Sequence, residues 1–327
     1  MHFRFALAVL LALTGMVTAQ TSPAQTWPDR PVRIIVTQSG GSTPDIIARL
    51  IADRLTTQLK QQFVIENRPG AANILGTQAG ARSTPDGYTF LFATTAGLAT
   101  NPHTFATLPY DPVKDFVPVA MIAKGPFFLL VNPSVPAKTL PELISLQKAA
   151  PRTFSVATDG PRYFGGLLIA WLDKLAGTQS VEVPYQSITQ GIQDTIEGRV
   201  QVIALPITSA VPFIESKQLR PLAVSSIKPM PKFENIAPIA ETLPGVDMIG
   251  WFAMMAPAGT PNAVVQSLNR EIARILDMPD MKDRLVELGF FTEGAGTPAT
   301  TGDYIAAERE AWGRVVKAIE LPPLAQQ

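Results

Sequence analysis

The run Gln38-Ser39-Gly40-Gly41-Ser42-Thr43-Pro44-Asp45 holds the residue types that recognise an anion. It follows the apolar stretch Val32–Val36 and precedes Ile46, Ile47, Leu50, Ile51, Leu55 and Leu59, whose spacings of one, three and four mark one face of a helix. Pro44 suits the first turn of that helix, and Ser42 or Thr43 can cap it. Gly40 and Gly41 let the backbone come close to whatever lies above the turn, where the first amide N–H groups and the positive end of the helix dipole face an acceptor. Such a turn favours an anion, with Asp45 adding an acceptor or holding a water. The same residues serve equally as an ordinary turn before a capped helix. A second small-residue run, Thr94-Thr95-Ala96-Gly97, stands at the end of the strand-like stretch Tyr88–Ala93. Two such loops in one unit favour a pocket more than either does alone.

Other chemistries find few carriers. The 327 residues include no cysteine and two histidines, His2 and His103. Disulfides, thiolate nucleophiles and Cys-ligated metals are therefore excluded, and two histidines are too few for a His-based metal site. His103 lies in the Pro-rich stretch Asn101–Asp115 and reads as a solvated loop residue. No Gly-x-Ser-x-Gly occurs, which argues against a secreted α/β hydrolase. Lys plus Arg equals Asp plus Glu at 27 each, so no net field favours nucleic acid or an anionic membrane surface. No cofactor, metal or catalytic residue is expected.

The elements that would position these loops alternate. At this length two domains are expected. After the first helix come a strand at Phe63–Glu66, a turn at Asn67-Arg68-Pro69-Gly70, a helix at about Ile74–Arg82 and the strand Tyr88–Ala93. This is a doubly wound α/β pattern with its crevice at the carboxyl ends of the strands. A buried strand opens at Phe127, and the middle unit repeats the architecture: helix Leu140–Ala149, strand Thr153–Ala157, helix Phe164–Ala176, strand Ser180–Val183, helix Gln190–Glu197, strand Val200–Leu205. Met248–Ala256 reads as another buried strand. The helices Asn262–Leu276, Asp280–Leu288 and Thr301–Ile319 should return to the first unit. The chain would then cross between units twice, which makes a hinge. Domain 1 would comprise 27–127 plus 248–327, and domain 2 would be 128–247. Trp171 and Trp312 read as core, and Trp251 as core or pocket lining.

Met1 to Ala19 has Arg4, an apolar stretch FALAVLLALTGMV and a Val17-Thr18-Ala19 end, the pattern of a secretory signal peptide cleaved before Gln20. An uncleaved anchor is the alternative. With no cysteine at the cleavage point, a lipoprotein anchor is not expected.

Six strings together resemble the tripartite tricarboxylate transporter receptors, periplasmic solute-binding proteins also called Bug receptors. They are Glu66–Gly70, Pro85–Thr89, Leu108–Pro112 with Asp115-Phe116, Val131–Lys138, Val183–Tyr185 and Ala256–Pro261, and the likeness runs from Trp27 to about Lys317. The resemblance implies an α/β, two-domain periplasmic binding protein clamshell (type II-like), each domain a doubly wound sheet flanked by helices. It implies a small carboxylate captured between the domains, delivery to an integral-membrane permease of the tripartite tricarboxylate type, and a monomer. A signalling sensor built on the same closure is the alternative. Carried onto this sequence, the ligand-binding residues are Gln38, Ser39, Gly41, Ser42 and Asp45 in the first loop and Thr94, Thr95 and Ala96 in the second. From the other domain come Thr158, Asp159, Arg162, Tyr163, Tyr185, Gln186, Ser187, Ile207 and Thr208.

The chain departs from the family pattern at three places. Its glycines at 40 and 41 are shifted by one. Pro161-Arg162-Tyr163-Phe164 replaces a Ser-rich stretch with a histidine, and Leu205 stands where an aspartate is common. Arg162 would suit a second carboxylate and Tyr163 an aromatic ring, unless Arg162 simply points to water.

Overall fold

The computed structural model describes residues 27–325 other than Gln186 and Pro231. The expected signal peptide and the candidate Gln186 lie outside the described residues. Strand β1 (Val32–Val36) is buried everywhere except Arg33. It runs parallel between β2 (Phe63–Asn67) and β3 (Thr89–Thr94). Parallel neighbours need long crossovers, supplied by α1 (Thr43–Leu59) and α2 (Ile74–Ala81). Helix α1 buries Ile47, Ala48, Ile51, Ala52 and Leu55, leaving Ile46, Leu50 and Leu59 partly exposed. The buried stripe is thus turned toward the alanines, whose small side chains admit Phe90 and Phe92 of β3 to the same core cluster. Lys60, left-handed at φ 58°, ends the helix with its N–H on the Thr56 carbonyl.

The 16-residue strand β4 (Phe116–Val131) begins well before Phe127. Pro118 and the pair Gly125-Pro126 break the strand signal in the sequence, because proline cannot donate to a ladder. Register shifts between Pro118 and Ala120 and between Met121 and Ala123 accommodate the irregularity as bulges. After β4 come α3 (Leu140–Ala149), β5 (Ser155–Thr158), α4 (Phe164–Ala176), β6 (Val181–Pro184), α5 (Ile188–Ile196), β7 (Val202–Pro206), α6 (Ile207–Glu215) and β8 (Arg220–Val224). Strand β9 (Ile249–Pro257) then returns antiparallel to both β3 and β4. Among the described residues nine strands form one sheet in the order β2-β1-β3-β9-β4-β7-β5-β6, with β8 also on β4.

Strand β4 changes partners along its length. Phe116–Pro126 pairs with β9, whereas Phe127–Val131 pairs with β7 and Phe128–Val131 also with β8. Gly125 faces Gly250 next to this switch. The pattern is doubly wound around parallel pairs, but the strands at the switch are antiparallel.

Helices α7 (Asn262–Asp277), α8 (Pro279–Glu287) and α9 (Pro298–Ala318) close the fold. Asn269 of α7 donates to the carbonyls of Val119 (2.8 Å) and Gly296 (2.9 Å), which ties that helix to β4. Helix α9 opens with a reciprocal capping box between Thr297 and Thr300 and lies along β4 and residues 96–104. It also reaches α4, where Trp312 meets Phe164 edge-on at 5.2 Å. Trp312 is buried and Trp171 packs, partly exposed, against the same cluster. His103 is not a solvated loop residue. It sits partly buried in the short helix Asn101–Thr104, with Nε2 2.8 Å from the Arg309 carbonyl, because α9 packs over this segment.

Candidate functional site

A cavity of about 210 Å³ lies where β4 and β9 pass between the halves of the sheet, with Gly125 and Gly250 in its wall. Helices α1, α4 and α6 each send their first residues to it: Thr43 and Pro44, Phe164, and Thr208 beside Pro206. None of the three receives a side-chain hydrogen bond from its N-cap residue, which is Ser42, Tyr163 or Pro206. Their first amides and positive dipole ends are therefore available to an anion.

Asp159 changes this picture for α4. Burial pushes its carboxyl up to about 6, against backbone N–H groups, including those of Gly165 and Gly166 at the helix start, that pull it down. Its Oδ1 is buried and has no hydrogen-bond partner. A carboxyl already occupies the start of α4, whereas the one carboxylate in the first turn of α1, Asp45, is paired with Arg49, so α1 and α6 are left as the anion-facing ends.

The first loop is held by Asp45, which is buried. Its carboxylate accepts from the Gly41 N–H (2.8 Å), Asn67 Nδ2 (2.8 Å) and Arg49 Nε (3.0 Å). Asn67 Nδ2 also donates to the Gln38 carbonyl at 2.9 Å. Burial alone would raise the Asp45 pKa, but the bonds from Arg49, Gly41 and Asn67 outweigh it and hold the carboxyl below its ordinary value. Asp45 thus shapes the loop from beneath, while Gln38 lines the cavity.

At the end of β3, Thr95 is committed to the neighbouring strand. Its Oγ1 accepts from the Trp251 N–H at 2.8 Å and lies 3.4 Å from the Trp251 carbonyl. Thr94 Oγ1 is buried, faces no partner and belongs to the lining, as does Ala96. Ser42 Oγ is likewise buried without a partner.

Of the candidates from the sequence, Gln38, Thr94, Thr95, Ala96 and Thr208 come together in the cavity wall. Ser39 and Gly41 are exposed on the turn beside it. The remaining candidates are engaged or placed elsewhere. Thr158 bonds Glu182, Tyr185 OH donates to Asp194 Oδ2 at 2.7 Å, and Ser187 is exposed at the start of α5. Ile207 is buried in the second half's core, and Tyr163 is exposed. Arg162 turns toward the carboxyl-terminal segment, with Nη2 donating to the Pro322 carbonyl at 2.8 Å.

Sequence reading did not single out the aromatic wall of Phe127, Phe164, Phe252 and Phe290, and weighed Trp251 only as an alternative to core. Phe127 and Phe164 stack at 4.0 Å with 16° between planes, and Phe252 lies 5.1 Å from Phe290. A signal was present: Gly250-Trp251 and Gly289-Phe290 place an aromatic directly after a glycine, and Phe127 follows Gly125 by two. Gly289 has φ +73°, and a Cβ there would come 2.8 Å from the Thr208 N. Only glycine lets the segment carrying Phe290 lie against α6.

Behind the wall, Trp251 Nε1 donates to Glu308 Oε2 at 3.2 Å. Burial pushes Glu308 up to about 7; the bond from Trp251 and the Lys124 charge draw it down, and Asp247 pushes it further up. A folded-state pKa above the unfolded value means that stability is full below about 4.3 and is lost as pH rises to about 7. Glu308→Gln keeps an acceptor for Trp251 and removes the charge. The variant is expected to match the parent at pH 4 and to be more stable by about 1–3 kcal/mol at pH 8. Thermal unfolding at the two pH values checks this, and an equal effect at both would show that the carboxyl does not titrate in that window.

A family model described as "Tripartite tricarboxylate transporter family receptor" matches residues 47–321. A UPF0065 protein of Bordetella bronchiseptica is 32% identical over 315 residues, 96% of this chain and 92% of the relative. Among solved structures, R. palustris Rpa4515 with adipate is 34% identical with a TM-score of 0.81, covering 91% of this chain and all of that one. The periplasmic binding protein BugD is 25% identical with a TM-score of 0.76, covering 92% and 100%.

Proposed function

We propose, on the premise that the chain belongs to the tripartite tricarboxylate transporter receptor family, that it captures a small organic carboxylate in the cavity beside Gly125 and Gly250 and delivers it to a membrane permease of that system. The family is one of solute-binding receptors, and the fold is the α/β periplasmic binding protein clamshell. One observation carries the ligand class. The open N-terminal ends of α1 and α6 meet at a cavity whose lining, among the described residues, includes no charged side chain, so the countercharge for an anion comes from backbone amides and helix dipoles. Adipate in the 34%-identical neighbour supports a carboxylate.

Residues 27–127 with 248–327 then form one domain and 128–247 the other. Closure bends β4 and β9 at the Gly125–Gly250 pair, where β4 exchanges partners and neither facing residue carries a side chain. The receptor acts in the periplasm, after cleavage of the leader at Ala19, as a monomer and without chemistry of its own.

A thermal-shift comparison of small carboxylic acids with their primary amides tests the ligand class, using the chain from Gln20. A matching acid at ~100 times its dissociation constant adds ~2.7 kcal/mol and several degrees, whereas its amide adds none. Amides that stabilise as well as acids, or a folded chain that no acid stabilises, would overturn the reading. Delivery is checked by uptake of the stabilising acid in cells lacking the receptor, which should stop; unchanged uptake sinks that step.

A further inference from the structure

The cavity wall mixes a few polar groups with aromatic rings. Its polar side chains are Gln38, Thr43, Thr94 and Thr95 from the first half and Thr208 on α6, with Thr94 paired across the ladder to Phe252. The rest of the wall is dominated by five aromatic side chains: Phe127, Phe164, Trp251, Phe252 and Phe290. Phe127 and Phe164 are partly exposed and stacked on each other at 4.0 Å, so they form one aromatic shelf in the wall. Phe252 and Phe290, tilted by 33° at 5.1 Å, form a second apolar surface.

Among the described residues no cation stands in the cavity wall to receive a second acid group. Arg162 is bonded to the Pro322 carbonyl. Lys124, next to Gly125, is paired with Glu293 at 2.6 Å and lies 4.1 Å from the Tyr304 ring centroid. A second carboxylate inside would meet the negative faces of aromatic rings and lose its hydration without a partner. A ring would meet surfaces suited to offset or edge-on contact.

Resting on the carboxylate-receptor reading above, we infer that the ligand is an aromatic monocarboxylate. Its single carboxylate lies toward Thr94 and the open ends of α1 and α6, and its ring lies against the shelf of Phe127 and Phe164. The Thr94 hydroxyl, buried and without a protein partner, is the side-chain donor this orientation uses. The volume of about 210 Å³ is below the range of sites for drug-sized molecules and suits one ring with one acid group.

Calorimetric titration with benzoate, cyclohexanecarboxylate, adipate and benzamide separates the possibilities. Benzoate is expected to bind at least tenfold tighter than adipate and tighter than cyclohexanecarboxylate, with no binding of benzamide. Phe164→Leu and Phe127→Leu, with folding checked by circular dichroism, should each shrink the benzoate-to-adipate ratio at least fivefold. If adipate binds tightest, or the leucine variants leave the ratio unchanged, the aromatic inference falls and the carboxylate receptor stands. If benzamide binds as well as benzoate, or the folded chain binds none of the acids, both fall together.

Discussion

Asp45→Ala is expected to lower stability by about 2–4 kcal/mol at pH 7 and to remove ligand binding with it. The carboxylate is buried and takes three hydrogen bonds, from Gly41, Asn67 and Arg49. Arg49 is half-exposed, so its share of the pair is modest and most of the loss comes from the other two donors. Without the carboxylate, Asn67 Nδ2 keeps only the Gln38 carbonyl, and the turn that carries Gln38, Thr43 and Pro44 to the cavity loses its anchor.

The effect has a pH signature. The Asp45 carboxyl is held below its ordinary value in the folded state, so its contribution is present above about 3.9 and is lost as pH falls through the lower folded value. Urea unfolding of parent and variant should therefore show a gap at pH 7 that narrows below pH 4. A variant that melts like the parent yet binds nothing would instead place Asp45 directly on the ligand.

Gly166→Ala is expected to cost about 3 kcal/mol or more. A Cβ at Gly166 would collide with the Gly160 carbonyl oxygen and lie 2.9 Å from both the Gly160 carbon and Pro161 Cα. All three are backbone atoms, so relief requires moving the loop that leads into α4. Phe164 would move with it and part from Phe127. Gly177→Ala is the control: Gly177 has φ +64° and nothing within 4 Å of a Cβ, so only the left-handed backbone penalty of about 1 kcal/mol applies. Equal losses at the two positions, measured by chemical denaturation, would show that the loop yields to the methyl group at little cost.

What the sequence by itself determined is the local and the repeated. The apolar run Val32–Val36, the Gly-Gly turn and the 3.6-residue spacing after it specify β1, its turn and α1, because each depends on neighbours within a few residues. The alternation of strands and helices, with six family strings in order, carried the fold class and the receptor family. Only the tertiary structure decided the rest. Strand β4 runs through Pro118 and Pro126 because β9 and the bulges hold it, which no local pattern signals. Asp45 is the same residue in either role, and Asn67, 22 positions away, makes it an anchor of the turn. Arg162 bonds a carbonyl 160 residues along the chain. The aromatic wall draws on β4, α4, β9 and the segment after α8, and its rings converge only once loops of many residues have closed. Side-chain periodicity shows which face of an element is buried. Which buried faces meet is set by long-range pairing, and in this chain that pairing builds the site.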